Sequence, residues 1–128
     1  ALTDVTGFGL AGHALEMARG SDTMVRLDMA RVPLIEGVRS LASAGMVTGA
    51  SGRNWAAYGH EVRLGAGLPP VDQALLSDPQ TSGGLLVACA PEAVADVLAV
   101  FHRHGFGAAA EIGEVGAASA DGVRLRVD

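Results

Sequence analysis

The stretch Thr3-Asp4-Val5-Thr6-Gly7-Phe8-Gly9-Leu10-Ala11-Gly12-His13 runs on through Ala14-Leu15-Glu16-Met17-Ala18-Arg19-Gly20 to the alternating Thr23-Met24-Val25-Arg26-Leu27-Asp28. How it is read decides the fold. Gly7, Gly9 and Gly12 give G-x-G-x-x-G, and Asp28 supplies a downstream acid, which together match the spacing of a dinucleotide-binding fingerprint. The context does not match. Such a site needs a buried apolar strand feeding the first glycine, and the only lead-in, Ala1 to Thr6, is interrupted by Thr3, Asp4 and Thr6. Asp4 would also repel a bare pyrophosphate at a helix N-terminus unless a cation lay between them. Two readings of Asp4 follow: a hard-oxygen ligand for Mg²⁺ that other segments complete, or, with Thr6, a cap on the next helix. The glycines either line a phosphate site or only permit close packing, and Asp28 becomes an ordinary strand-end carboxylate.

Working outward, Leu10, Ala14, Leu15, Met17 and Ala18 recur at helical spacing and predict a helix from Phe8 to Arg19, stopped by Gly20. Thr23 to Met29 reads as a half-buried strand. Pro33 is expected to open a second helix with Leu34, Ile35, Val38 and Leu41 on one face and Gly45 as terminator. Gly45 to Asn54, rich in glycine and hydroxyls, reads as a loop. Glu61 to Leu64 predicts a strand, Val71 to Leu76 a short helix, and Leu85 to Ala90 a buried strand carrying Cys89. Pro91 then starts a helix with Val94, Val97, Leu98 and Phe101 inward, closed by Gly105. Strands at Ala109 to Val115 and Val123 to Val127 finish the chain around a turn at Ala120-Asp121-Gly122. This order favours one α/β layered domain with a mixed sheet over a purely parallel one.

The 128 residues suit a single domain. The first residue is Ala and the glycine motif follows at once, so the chain is expected to be the downstream part of a longer protein. With 9 basic against 14 acidic residues and a net charge of -5, there is no electrostatic footprint for nucleic acid. All nine basic residues are Arg, which removes a phosphate-loop or Schiff-base Lys from this segment. The lone Cys89 reads as a small buried hydrophobe in a reducing cytoplasm. No apolar run approaches the length of a membrane span.

A second motif, Ser77-Asp78-Pro79-Gln80-Thr81-Ser82-Gly83-Gly84, precedes the Leu85 strand. Its backbone N–H groups offer an anion-binding nest, or it is simply a turn in which Asp78 bonds local amides. His13 faces either core or site, while His102 and His104 suit a helix C-terminus and His60 and Trp55 packing or surface. No Ser/His/Asp or Cys/His arrangement emerges.

Taken together, Thr3 to His13 and Leu76 to Leu86 closely resemble the two signatures of the selenophosphate synthetase (selenide, water dikinase) family, with Gly52-Arg53-Asn54 and Glu111-Ile112-Gly113-Glu114-Val115 as further matching features. The family belongs to the aminoimidazole-ribotide-synthetase-like ATP-dependent enzymes, and this chain resembles their C-terminal domain. The resemblance implies a three-layer α/β/α fold (α/β, α+β) over residues 1–128. It implies a reaction of selenide, ATP and water giving selenophosphate, phosphate and AMP, with Mg²⁺ as cofactor.

The glycine-rich segment, the reactive Cys or selenocysteine, its Lys and most metal-binding aspartates lie in the family's N-terminal half, so no catalytic residue is expected here. This chain alone is accordingly expected to be inactive. By motif position Asp4 is the implied Mg²⁺ ligand, while Thr3, Thr6, Gly7, Gly9, Asn54, Ser82, Gly83 and Gly84 are candidates to line the nucleotide cleft. The implied partners are ATP, selenide and the N-terminal domain, in a cytoplasmic homodimer. Two other readings stay open: another ATP-dependent synthase or kinase of the superfamily, or a non-catalytic module with the same fold.

Overall fold

A computed structural model describes all residues 1–128. Six strands and five α-helices follow one another along the chain: β1 (Leu2–Asp4), α1 (Gly9–Gly20), β2 (Thr23–Leu27), α2 (Val38–Ser43), α3 (Gly49–Tyr58), β3 (Val62–Leu64), α4 (Pro70–Leu76), β4 (Leu85–Val87), α5 (Val94–Arg103), β5 (Gly113–Ala117) and β6 (Leu125–Val127). Four strands form a mixed sheet in the order β3-β6-β2-β5, with β6 parallel to both β2 and β3 and β5 antiparallel to β2. A separate antiparallel pair joins β1 to β4. The result is the three-layer mixed α/β architecture expected from the sequence.

The core forms where α1 lies on β2 and β6. Ala11, Ala14 and Ala18 repeat at helical spacing and are fully buried, so their small side chains let the helix approach the sheet closely. Leu15 of α1 then meets Leu27, Leu125 and Val127 of the strands, and Leu76 and Tyr58 extend this cluster toward α4 and α3. Along β2, Val25 and Leu27 are buried while Arg26 and Asp28 are exposed, the alternation read from the sequence. Arg63, Arg126, Arg26 and Glu114 stand in one row across the four strands, with Asp121 bridging Arg63 and Arg126.

Three expectations fail for identifiable reasons. The predicted loop Gly45 to Asn54 is half helix: α3 begins at Gly49, and the Thr48 side chain caps it by accepting from the Ser51 N–H at 3.2 Å. The helix expected from Pro33 starts only at Val38, because Gly37 at φ +79° breaks the chain's path before it, leaving Leu34 and Ile35 exposed outside it. The predicted buried strand Leu85 to Ala90 stops at Val87 and Cys89 is exposed. With only β1 as a neighbour, β4 gains no cover from a second strand. The helix after Pro91 is present, with Val94, Val97, Leu98 and Phe101 along one partly buried face.

Candidate functional site

The two glycine motifs are far apart in sequence and adjacent in space. β1 and β4 pair with Thr3 opposite Leu86 and Asp4 opposite Leu85. The ladder continues beyond the strand through the Val5 N–H to the Gly84 carbonyl at 2.9 Å, and the Gln80 N–H reaches the Thr6 carbonyl at 3.0 Å. Gly83 makes this approach possible, since a methyl group in its place would stand 1.9 Å from the Val5 carbonyl oxygen. Gly9, at φ +71°, lies so close to the Leu76–Asp78 backbone that a methyl group would come within 2.8 Å of it. These two glycines join the motifs. Gly7 and Gly84 have open space where a side chain would be.

Helix α3 fastens the junction. The Asn54 amide donates to the Gly7 carbonyl at 2.8 Å and the Ser77 carbonyl at 3.0 Å, one bond to each motif. One turn on, the Tyr58 hydroxyl donates to the Phe8 carbonyl at 2.6 Å. Burial pushes the Tyr58 phenol up to about 12, with a backbone contact to Gly12 working the other way, so it remains a donor. The Asp78 carboxylate does not accept from local backbone amides. Its carboxylate accepts from Ser51 at 3.2 Å, Thr48 at 3.4 Å and the Gln80 amide at 3.1 Å, which ties the second motif to the start of α3.

Neither Asp4 nor Thr6 caps α1 through its side chain. The Thr6 hydroxyl instead meets His13 Nε2 at 3.0 Å, and His13 Nδ1 meets Glu16 at 2.7 Å. His13, left between core and site by the sequence, is buried, with the Phe8 ring tilted against it at a centroid distance of 5.8 Å, and still reaches the motif. Asp4 is exposed at the end of β1, and its carboxylate enters no ion pair. Thr3 is partly exposed, and Ser82 stands exposed beside the junction.

The structure therefore brings Thr3, Asp4, Thr6, Gly7, Gly9, Asn54, Gly83 and Gly84 together where the two motifs meet, with Gly9 buried and Asp4 and Gly7 exposed. The Glu111 to Val115 segment lies elsewhere. It borders a cavity of about 310 Å³ whose walls are held by Arg26–Glu114 at 3.2 Å and Arg31–Glu111 at 3.3 Å. Sequence reasoning missed Ser51 and Tyr58. With Asn54 they form a stripe three and four residues apart, a helical signal hidden by reading Gly45 to Asn54 as a loop and stopping short of Tyr58.

Asp4 supplies the hard, anionic oxygen that Mg²⁺ takes. It is one ligand and not a whole site, since no three His, Cys, Asp or Glu side chains converge to hold a metal ion. No helix is long and apolar enough to cross a membrane.

Comparison with known proteins identifies the family. A family described as AIR synthase related protein, C-terminal domain, matches residues 1–126. Proteins named selenide, water dikinase match at high identity. The Burkholderia pseudomallei (strain K96243) protein is 66% identical over 123 residues, covering 94% of this chain and 35% of its own length. The Pseudomonas straminea protein is 56% identical over 115 residues, covering 90% and 32%. The Rhizobium meliloti (strain 1021) protein is 49% identical over 127 residues, covering 99% and 36%. The chain spans about a third of the length of these relatives.

Proposed function

Because the chain belongs to the AIR synthase related protein family, as its C-terminal domain, we propose that it serves as the C-terminal domain of a selenide, water dikinase. The activity of that enzyme would be to convert selenide, ATP and water into selenophosphate, phosphate and AMP. One observation carries the reading: two distant motifs fold into a single surface that leaves the Asp4 carboxylate exposed and unpaired beside the open backbones of Gly7 and Gly84. A polyphosphate needs cations held by carboxylates, and close approach to backbone N–H groups needs residues without side chains.

In this reading Asp4 would supply one ligand to Mg²⁺, the other ligands coming from an N-terminal domain. The ion, when bound, neutralises phosphate charge. The residues of this chain bind and orient. Asn54 and Tyr58 hold the first motif at fixed distance from the second, so that Asp4 and the Gly7 and Gly84 backbones meet the ligand as one rigid surface. Closure of the two domains over it would exclude water. The absence of Lys and of a nucleophile arrangement fits a chain that completes a site without catalysing alone. The full-length protein would be a cytoplasmic homodimer.

The test uses the full-length protein. With selenide, ATP and Mg²⁺ it is expected to form AMP, whereas residues 1–128 alone form none. Asp4→Asn is expected to lower turnover at least about a hundredfold, with unchanged thermal unfolding because the side chain is exposed. ADP as the product would redirect the reading to another ATP-dependent member of the superfamily, and full activity of Asp4→Asn at saturating Mg²⁺ would remove Asp4 from the site.

A further inference from the structure

Thr6 and His13 of the first motif and Glu16 just beyond it form a hydrogen-bonded series that the proposed function leaves unused. Thr6 Oγ1 lies 3.0 Å from His13 Nε2, and His13 Nδ1 lies 2.7 Å from Glu16 Oε2. The His13 side chain is 8% exposed, with the Phe8 ring tilted near it, while the Glu16 side chain is 48% exposed. The direction of the series follows from donor chemistry. A carboxylate only accepts, so Nδ1 carries the proton. In the neutral ring Nε2 then has only a lone pair, and the Thr6 hydroxyl must donate to it. With its hydrogen turned inward, the Thr6 oxygen presents lone pairs outward.

The backbone decides what those lone pairs face. Asp4 is exposed, Val5 is buried and Thr6 is partly exposed, and the Val5 N–H still pairs with the Gly84 carbonyl. On such an extended stretch alternation sends the Asp4 and Thr6 side chains to one side and Val5 to the other. A carboxylate and an acceptor-only hydroxyl two residues apart match the hydrogens of a hydrated cation. They do not match a phosphate oxygen, which needs a donor.

We propose that His13 and Glu16 are positioning residues that lock the Thr6 hydroxyl as an acceptor, making Thr6 a second cation-binding group beside Asp4. The assignment rests on the proposed reading of Asp4 as a cation ligand, and it extends that site to a neutral oxygen set by a buried imidazole. Glu16 never touches the ligand. It selects the ring tautomer, and the tautomer selects which way the hydroxyl proton points.

The test has two arms in the full-length protein. In the first, Mn²⁺ is titrated as a stand-in for Mg²⁺, followed by its paramagnetic signal, with no turnover required. Thr6→Val keeps the shape and removes the oxygen, and is expected to weaken Mn²⁺ binding about tenfold, the loss of one hydrogen bond. Thr6→Ser restores it. His13→Phe gives the same weakening, and the double variant no more than either single one, because both remove one oriented group. In the second arm, ¹⁵N NMR of the His13 ring above about pH 8, where free imidazole is neutral, is expected to find the proton on Nδ1, and Glu16→Ala to lose that preference.

Mn²⁺ affinity unchanged in Thr6→Val, or a wild-type ring protonated on Nε2, overturns the proposal. Thr6→Val leaves the buried His13 Nε2 without its donor, so its fold is checked by thermal unfolding beside that of Thr6→Ser; if neither Thr6→Val nor His13→Phe folds, the position of the ring proton decides the proposal. If the full-length protein forms no AMP from selenide and ATP while the Mn²⁺ shifts hold, the reaction assignment fails and the Thr6 site stands.

Discussion

Tyr58 is the only tyrosine in the chain, and its hydroxyl holds the first motif through the Phe8 carbonyl. Raising the pH tests that contact without a mutation. The phenol's ordinary value of 10.0 rises to about 12 in the folded protein because the ring is buried, being 6% exposed. Between these values the folded state keeps a proton that the unfolded chain has released. Stability is therefore complete below pH 10 and falls as pH rises toward 12. One pH unit into that window the loss is about 1.4 kcal/mol, approaching about 3 kcal/mol once both states are ionised.

Two readouts check this. The phenolate absorbance of the folded protein belongs to Tyr58 alone, and its midpoint is expected well above that of the urea-unfolded chain. Urea unfolding, followed by Trp55 fluorescence, is expected to shift to lower denaturant between about pH 9 and pH 11 in the wild type but not in Tyr58→Phe, beyond changes common to both. At neutral pH Tyr58→Phe itself should cost about 1–2 kcal/mol, since the Phe8 carbonyl loses its donor. Coincident folded and unfolded phenolate midpoints would refute the buried donor and the clamp built on it.

Other outcomes follow from the same contacts. Gly83→Ala is expected to destabilise by about 3 kcal/mol, because its methyl would collide with the Val5 carbonyl, whereas Gly84→Ala, with open space before it, should stay within about 0.5 kcal/mol. Comparable losses from both in urea titrations would contradict the close crossing of the motifs. Arg39→Ala should cost about 2 kcal/mol, since it strips the partner at 2.5 Å from Asp72, a carboxylate only 2% exposed; the half-exposed Arg39 keeps this below the cost of breaking a fully buried pair. Pairing it with Asp72→Asn should recover part of the loss, and calorimetry showing no recovery would reject the pairing.

How much of this was legible depended on where each element finds its stability. α1 announced itself because Leu10, Ala14, Leu15, Met17 and Ala18 recur at helical spacing, and Ala14, Leu15 and Ala18 lie on its buried face. α3 did not, because Gly49, Ser51 and Gly52 are poor helix formers; Asn54 and Tyr58 hold it from contacts that only the fold creates. Cys89 looked buried because an apolar run implies two flanking strands, and β4 has one. At the site, Asp4 and the glycines could be picked out by motif. The division of labour among the glycines could not, since Gly9 and Gly83 are fixed by internal crowding while Gly7 and Gly84 face open space. His13 was ambiguous for the same reason: its Thr6 and Glu16 partners are local, but its burial comes from the packing around it.

The strand order carries a consequence for how the chain assembles. No strand pairs with its neighbour in sequence, and β6, the last of the six in chain order, lies between β2 and β3 in the sheet. Every ladder must close a long loop before it gains a contact, the kind of topology that folds slowly. Neither β2 nor β3 can find its central partner until Leu125–Val127 has left the ribosome. Until then the inner face of α1 has no complete sheet to cover it, so the newly made chain passes through an aggregation-exposed interval that a hairpin-built sheet would avoid.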